Sequence, residues 1–141
     1  MQVLFLWDTA GADDRALAEQ VATGAGLVDE ERSGGLRMAE DAWAAREVSD
    51  EWIAKLAPQW PPKRQPGVDR AILRLGVWEL TFTQTPPKVV IDEAIELAKN
   101  FSTEQSPGFI NGVLDAVHKE TQELIATKRR SDGAAEGTAN A

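Results

Sequence analysis

The chain has 141 residues, 43% of them apolar and 27% charged, with no cysteine and a formal net charge of -8. This is the make-up of one soluble globular domain long enough to bury a single core. It excludes a disulfide framework, a thiol nucleophile and a Cys-ligated zinc, and its acidity argues against binding nucleic acid by bulk charge, although Lys63-Arg64 and Lys128-Arg129-Arg130 are local basic spots.

The opening "MQVLFLWDT" carries Met1, Val3, Leu4, Phe5, Leu6 and Trp7 with no capping residue ahead of them, so a helix core starts at once. The stretch is too short to span a bilayer and has no basic flank, so neither a membrane anchor nor a signal peptide is expected. A turn follows at "DTAGADD". "DDRALAEQVATGAG" reads as a short helix closed by Gly24 and Gly26, and "VDEERSGG" as a polar loop. Leu36, Ala39, Trp43, Trp52, Ile53 and Leu56 keep helical spacing, with Ser49 either capping a second segment or lying inside one long helix. "PQWPPKRQPG" is too rich in proline to be anything but an irregular connection.

In the second half, "VDRAILRLGVWELTF" is apolar nearly all round, as a central buried helix would be. Pro87 is placed to open the next helix, where Val90, Ile91, Ala94, Ile95, Ala98 and Phe101 face inward and Asp92, Glu93, Glu96 and Lys99 face out. Ser106-Pro107 then start a last helix with Ile110, Val113, Leu114, Val117, Thr121 and Leu124 along one side. No segment alternates with period two. The expected fold is therefore all-α, a compact helical bundle of about five to seven helices spanning residues 1–127, with a disordered tail over 128–141.

Nothing in this pattern supports catalysis. His118 is the only histidine and sits late in the last helix. Asp92, Glu93 and Glu96 have no accompanying His or second carboxylate motif, so they read as a solvated helix face rather than a metal site. Gly24 to Gly26 lacks the strand and third glycine of a dinucleotide loop. No catalytic residue, metal or cofactor is expected, and binding remains. Lys88, Lys99, Gln105 and Phe109 have no evident core duty. Phe109 reads either as an edge residue of the core or as a stacking platform for an unpaired base, a contact of about 1–3 kcal/mol.

Two runs, "VDRAILRLGVWEL" and "PPKVVIDEAIELAKNFSTEQSPGFINGVLDAV", strongly resemble the NusB family of bacterial transcription antitermination factors, with a close match from Val68 to Val117. "MQVLFLWDT" and "WIAKLAPQW" agree more loosely. The resemblance implies a cytoplasmic, non-enzymatic helical bundle. With ribosomal protein NusE, it would bind the single-stranded boxA segment of nascent, notably ribosomal, RNA and help RNA polymerase read through terminators. It further implies that RNA is met by Gln2, Lys88, Lys99, Gln105 and Phe109, and NusE by Phe5 and Asp69. Family members often carry Tyr and Glu at the positions of Phe5 and Asp69, so a hydroxyl is lost and an acid is one methylene shorter. Several carry an acid where Gln105 stands, so a repulsion with phosphate is lost. If the chain formed a homodimer, the RNA face would be hidden.

The family's arginine-rich segment ahead of the glutamine has no counterpart before Gln2. The expectation from this is that the natural protein begins about ten or more residues upstream, which an intact mass of the native protein would test. Two other readings stay open at this point. One is an adaptor that docks NusE with little RNA binding of its own. The other is a fragment of the related domain of ribosomal RNA cytosine methyltransferases, whose catalytic cysteines are absent here.

Overall fold

A computed structural model describes residues 1–11, 14–24, 29–61 and 64–139. The described residues form helices α1 (Gln2–Ala10), α2 (Arg15–Gly24), α3 (Asp29–Ala44), α4 (Arg46–Leu56), α5 (Gly67–Phe82), α6 (Pro87–Phe101) and α7 (Ser106–Ala139), with no strand among them. The expectation of an all-α bundle holds. As its all-round apolar pattern predicts, α5 is the central helix, packing against α1, α3, α4, α6 and α7.

Two clusters of buried side chains share α5. Ile72, Leu73 and Val77 join Ile53 of α4, Ala94 and Ala98 of α6, and Ile110, Val113, Leu114 and Val117 of α7. On the other side, Ala71 joins Leu4 and Trp7 of α1, Ala18 of α2, and Leu36, Ala39, Ala42 and Trp43 of α3. The Trp7 and Trp43 rings meet edge to face with centroids 5.9 Å apart, a favoured aromatic geometry. Trp7 Nε1 donates to the Asp14 carbonyl at 2.8 Å, so the buried indole is satisfied.

Charge fastens α1 and α4 to α5. Arg74 donates through Nε and Nη2 to both carboxylate oxygens of Asp50, at 2.9 and 2.7 Å, and through Nη1 to Asp8 at 3.1 Å. Arg70 grips Asp8 through Nε at 2.9 Å and Nη2 at 2.5 Å. Burial works against the Arg74 charge, yet the hydrogen bonds and charges of Asp50 and Asp8 outweigh it and hold its pKa above the ordinary value.

Several boundaries differ from those read in the sequence. Helix α1 runs through the expected turn to Ala10 and stops at Gly11, whose φ of 76° is the left-handed cap that glycine adopts freely. Helix α3 starts at Asp29, so "DEERSGG" is helical rather than a polar loop. Its acidic opening suits the positive end of the helix dipole. Ser49 neither caps a segment nor lies in one long helix: the break falls at Ala45, and Ser49 is buried inside α4. Phe101, expected inward, is 49% exposed, and Leu124 is exposed as well.

Helix α7 continues as backbone past Lys128 to Ala139, through the stretch where the sequence pattern predicts no regular structure. No proline follows Pro107 to stop it, and the described side chains from Thr127 to Gly133 are all exposed. Among the described residues no helix is long and apolar enough to cross a membrane.

Candidate functional site

The N-terminus of α5 and the α6–α7 junction meet at Asp69. The resemblance assigns Asp69 to contact with NusE, yet its side chain is only 4% exposed. Its carboxylate accepts hydrogen bonds from Ser102 Oγ at 2.5 Å and Ser106 Oγ at 2.9 Å. Thr103 Oγ1 donates in turn to Ser106 Oγ at 2.7 Å, the Ser102 and Ser106 protons being committed to the carboxylate. A buried carboxylate needs such donors, and these come from "STEQS", which runs from the end of α6 into the first residue of α7. The network therefore fixes the junction, a structural duty for Asp69 that the sequence pattern does not reveal.

Around this network opens a cavity of about 360 Å³ lined by Trp60, Pro66, Asp69, Thr103, Gln105, Ser106 and Phe109. Two of the expected RNA residues, Gln105 and Phe109, thus come together, and with them an expected partner residue. Gln105 is exposed at the mouth. Phe109 is half-buried, packing one side on the aliphatic cluster while facing the Trp60 ring, 6.3 Å away between centroids. The core-edge reading of Phe109 describes its packing on the aliphatic cluster.

Phe5 is half-buried at the same end of α5. Its ring lies over Gly67, where an added Cβ would come within 2.9 Å of Phe5 Cε2, so glycine permits this close approach. Phe5 and Asp69 consequently flank one helix start.

The remaining residues lie elsewhere. Gln2 is exposed and lines a separate cavity of about 280 Å³ together with Val3, Arg32, Leu36, Leu97 and Phe101. Lys88 and Lys99 are both exposed on α6. Eleven residues is about three turns, so the two lysines leave one face of the helix at positions roughly 16 Å apart along its axis. Asp92 and Glu96 are exposed between them, which dilutes that face's positive potential. Lys63, half of one basic spot, lies outside the described residues. His118 is half-buried, and among the described residues no cluster of His, Cys, Asp or Glu is arranged to hold a metal.

Sequence reasoning misses Trp60 and Phe101 as surface features. A signal for Trp60 exists: a tryptophan inside "PQWPP" has no helical period to bury it. Phe101 fits an inward register too well to stand out.

A family profile described as "NusB family" matches residues 1–119. A transcription antitermination protein NusB of a Nitratiruptor species is 38% identical over 120 residues, covering 85% of this chain and 86% of that one. Its namesake in Symbiobacterium thermophilum is 40% identical over 126 residues, covering 83% and 82%. Among solved structures, T. maritima NusB aligns with a TM-score of 0.73 at 32% identity, covering 84% of each chain. A structure of antitermination factors NusB and NusE in complex with dsRNA aligns at 0.75 and 29% identity, covering 84% of this chain and 89% of that one.

Proposed function

Because this chain belongs to the NusB family, we propose that it is a non-enzymatic transcription antitermination factor that, with ribosomal protein NusE, binds boxA single-stranded RNA in nascent transcripts. The RNA would be ribosomal above all, and the assembly would act in the cytoplasm with RNA polymerase to promote readthrough. The observation that carries the site assignment is the convergence of Gln105 and Phe109 on one cavity. An exposed amide and an open aromatic edge stand there side by side. A base offers a π-face and hydrogen-bonding edges, and this cavity answers both.

In this reading Lys88 and Lys99 follow the phosphates along α6, Gln2 adds a polar contact from α1, and Phe5 with Asp69 meets NusE at the start of α5. Phe5 would supply apolar surface. Asp69 would act through the rigid junction it holds together, since its own oxygens are taken by Ser102 and Ser106. With a net charge of -8, long-range attraction to RNA is weak, so a basic partner would raise the encounter rate.

The test is a titration of labelled boxA-like RNA and a scrambled control, with and without NusE, at several salt concentrations. Preference for boxA that grows with NusE and falls with salt is the expected result. Replacing both Lys88 and Lys99 by Ala should flatten the slope of log K against log salt by about 0.7 for each phosphate that is no longer neutralised. The acidic charge favours one second reading, an adaptor that docks NusE alone. Tight NusE binding without any gain in RNA affinity would establish that reading and overturn the first.

A further inference from the structure

We propose that Trp60 and Phe109 form an aromatic cleft that takes one unpaired base of the bound RNA, with Trp60 as its outer platform. This rests on the RNA-binding reading above and adds a residue to it. Trp60 is 51% exposed, although burying an indole is among the most favourable contacts a side chain can make. It stands in the proline-rich connection between α4 and α5 and reaches across to the first turn of α7. The two rings meet at a 58° tilt with centroids 6.3 Å apart, so neither covers the other's face and a base stacks on the open face of Trp60 with Phe109 at its edge. Both line the 360 Å³ cavity and a neighbouring one of about 400 Å³ lined by Leu56, Ala57, Pro58 and Gln59.

The first cavity suits a base better than an apolar side chain. Its lining includes the exposed Gln105 amide and the exposed Thr103 side chain, which match the edges of a base, while the aromatic rings offer it a face. The fixed Asp69 carboxylate at its floor repels a phosphate but not a neutral heterocycle, so base rather than backbone enters. Stacking also needs no positive charge, which matters for a protein this acidic.

The platform is held in advance of binding. The Trp60 backbone N–H donates to the Ala57 carbonyl at 3.0 Å, and the Trp60 carbonyl accepts from Gln65 Nε2 at 2.9 Å. Gln65 is itself buried, and its carbonyl receives Arg70 of the ionic clamp at 3.5 Å. The Trp60 backbone is thus tied to α5, and little ordering remains to be done when the base arrives.

The experiment is a titration of boxA-like single-stranded RNA with the full chain in the presence of NusE, using wild type, Trp60→Ala, Trp60→Phe and Phe109→Ala. Trp60→Ala should weaken binding by roughly 5- to 150-fold with the salt slope unchanged, and Trp60→Phe should recover most of the loss. RNAs with one abasic position at a time then locate the base: one position should weaken the wild type and cost nothing further in Trp60→Ala. Wild-type affinity in Trp60→Ala, or an equal loss for every abasic RNA, would overturn the cleft while leaving the broader reading intact. Failure of the wild type to prefer boxA would overturn both. Irradiating the wild-type complex with 5-iodouracil-substituted RNA needs no variant to fold: a crosslink to Trp60 or Phe109 is expected, and crosslinks found only elsewhere would overturn the proposal.

Discussion

Between α4 and α7 the bundle is held by aliphatic side chains, Ile53, Ile72, Leu73, Val77, Ile110 and Leu114 among them. Helices α1 to α3 meet α5 through alanines, Leu4, Leu36 and two tryptophans, and α1 is fastened by Asp8 to Arg70 and Arg74. The first kind of packing is strong and non-directional. The second places small residues at close range and uses charge to set which face of α1 meets α5, because the Asp8 carboxylate must meet N–H groups of both Arg70 and Arg74. Phe5 is carried by this second region and the Gln105–Phe109 cavity by the first, so the proposed NusE and RNA surfaces rest on cores of different character.

The largest expected effect is on the aliphatic side. Leu114 is fully buried and wedged against Gly76, where an added Cβ would lie 2.9 Å from both of its methyl carbons. Leu114→Ala should cost about 2–5 kcal/mol, from lost transfer energy plus the cavity left behind. Since α5 serves both clusters, tryptophan fluorescence, which includes Trp7 and Trp43, should unfold with the far-ultraviolet signal in one urea transition. Separate transitions would show that the halves are independent, contrary to a shared central helix.

A smaller and more local loss is expected from Asp8→Ala. It removes the Asp8 hydrogen bonds to Arg70 and Arg74 while Arg74 keeps Asp50, at about 1.5–3 kcal/mol for charged hydrogen bonds in a partly buried site. Amide hydrogen exchange should quicken in α1 while α5 to α7 keep their protection. Equal quickening throughout would mean that the clamp stabilises the whole bundle rather than fastening one helix to it.

The same contrast explains what can be read in advance. The α5–α7 region is legible because aliphatic residues recur with helical period and prolines mark the starts of α6 and α7. The register of α1 to α3 is harder: alanines such as Ala18, Ala39 and Ala42 bury as completely as leucine yet give little pattern, and Gly34-Gly35 inside α3 imitate a loop. At the candidate site, Gln105 and Phe109 stand close in sequence, and the sequence points to both. The contribution of Trp60, from another part of the chain, and the burial of Asp69 are tertiary facts. An acid two residues into a helix looks the same in sequence whether water or two serine hydroxyls surround it.

The seam between the two regions supplies the smallest effect and a pH signature. Glu79 is buried on α5, and its pKa is raised, by that burial first and by the nearby charge of Glu93 on α6, against a partial offset from the ammonium at Met1 on the α1 side. Below the ordinary carboxylate value of 4.5, folded and unfolded chains both hold the proton, and the contribution of Glu79 to stability is fully present. As pH rises from there, the unfolded chain ionises first, so stability falls until the raised folded value is passed and then levels off. Glu79→Gln cannot ionise and should lose this slope. It should equal wild type near pH 4.5 and be modestly more stable at neutral pH, as read from urea midpoints across that range. Parallel profiles for the two proteins would mean that water reaches Glu79, and that the seam between the aliphatic and ionic regions is wetter than their packing implies.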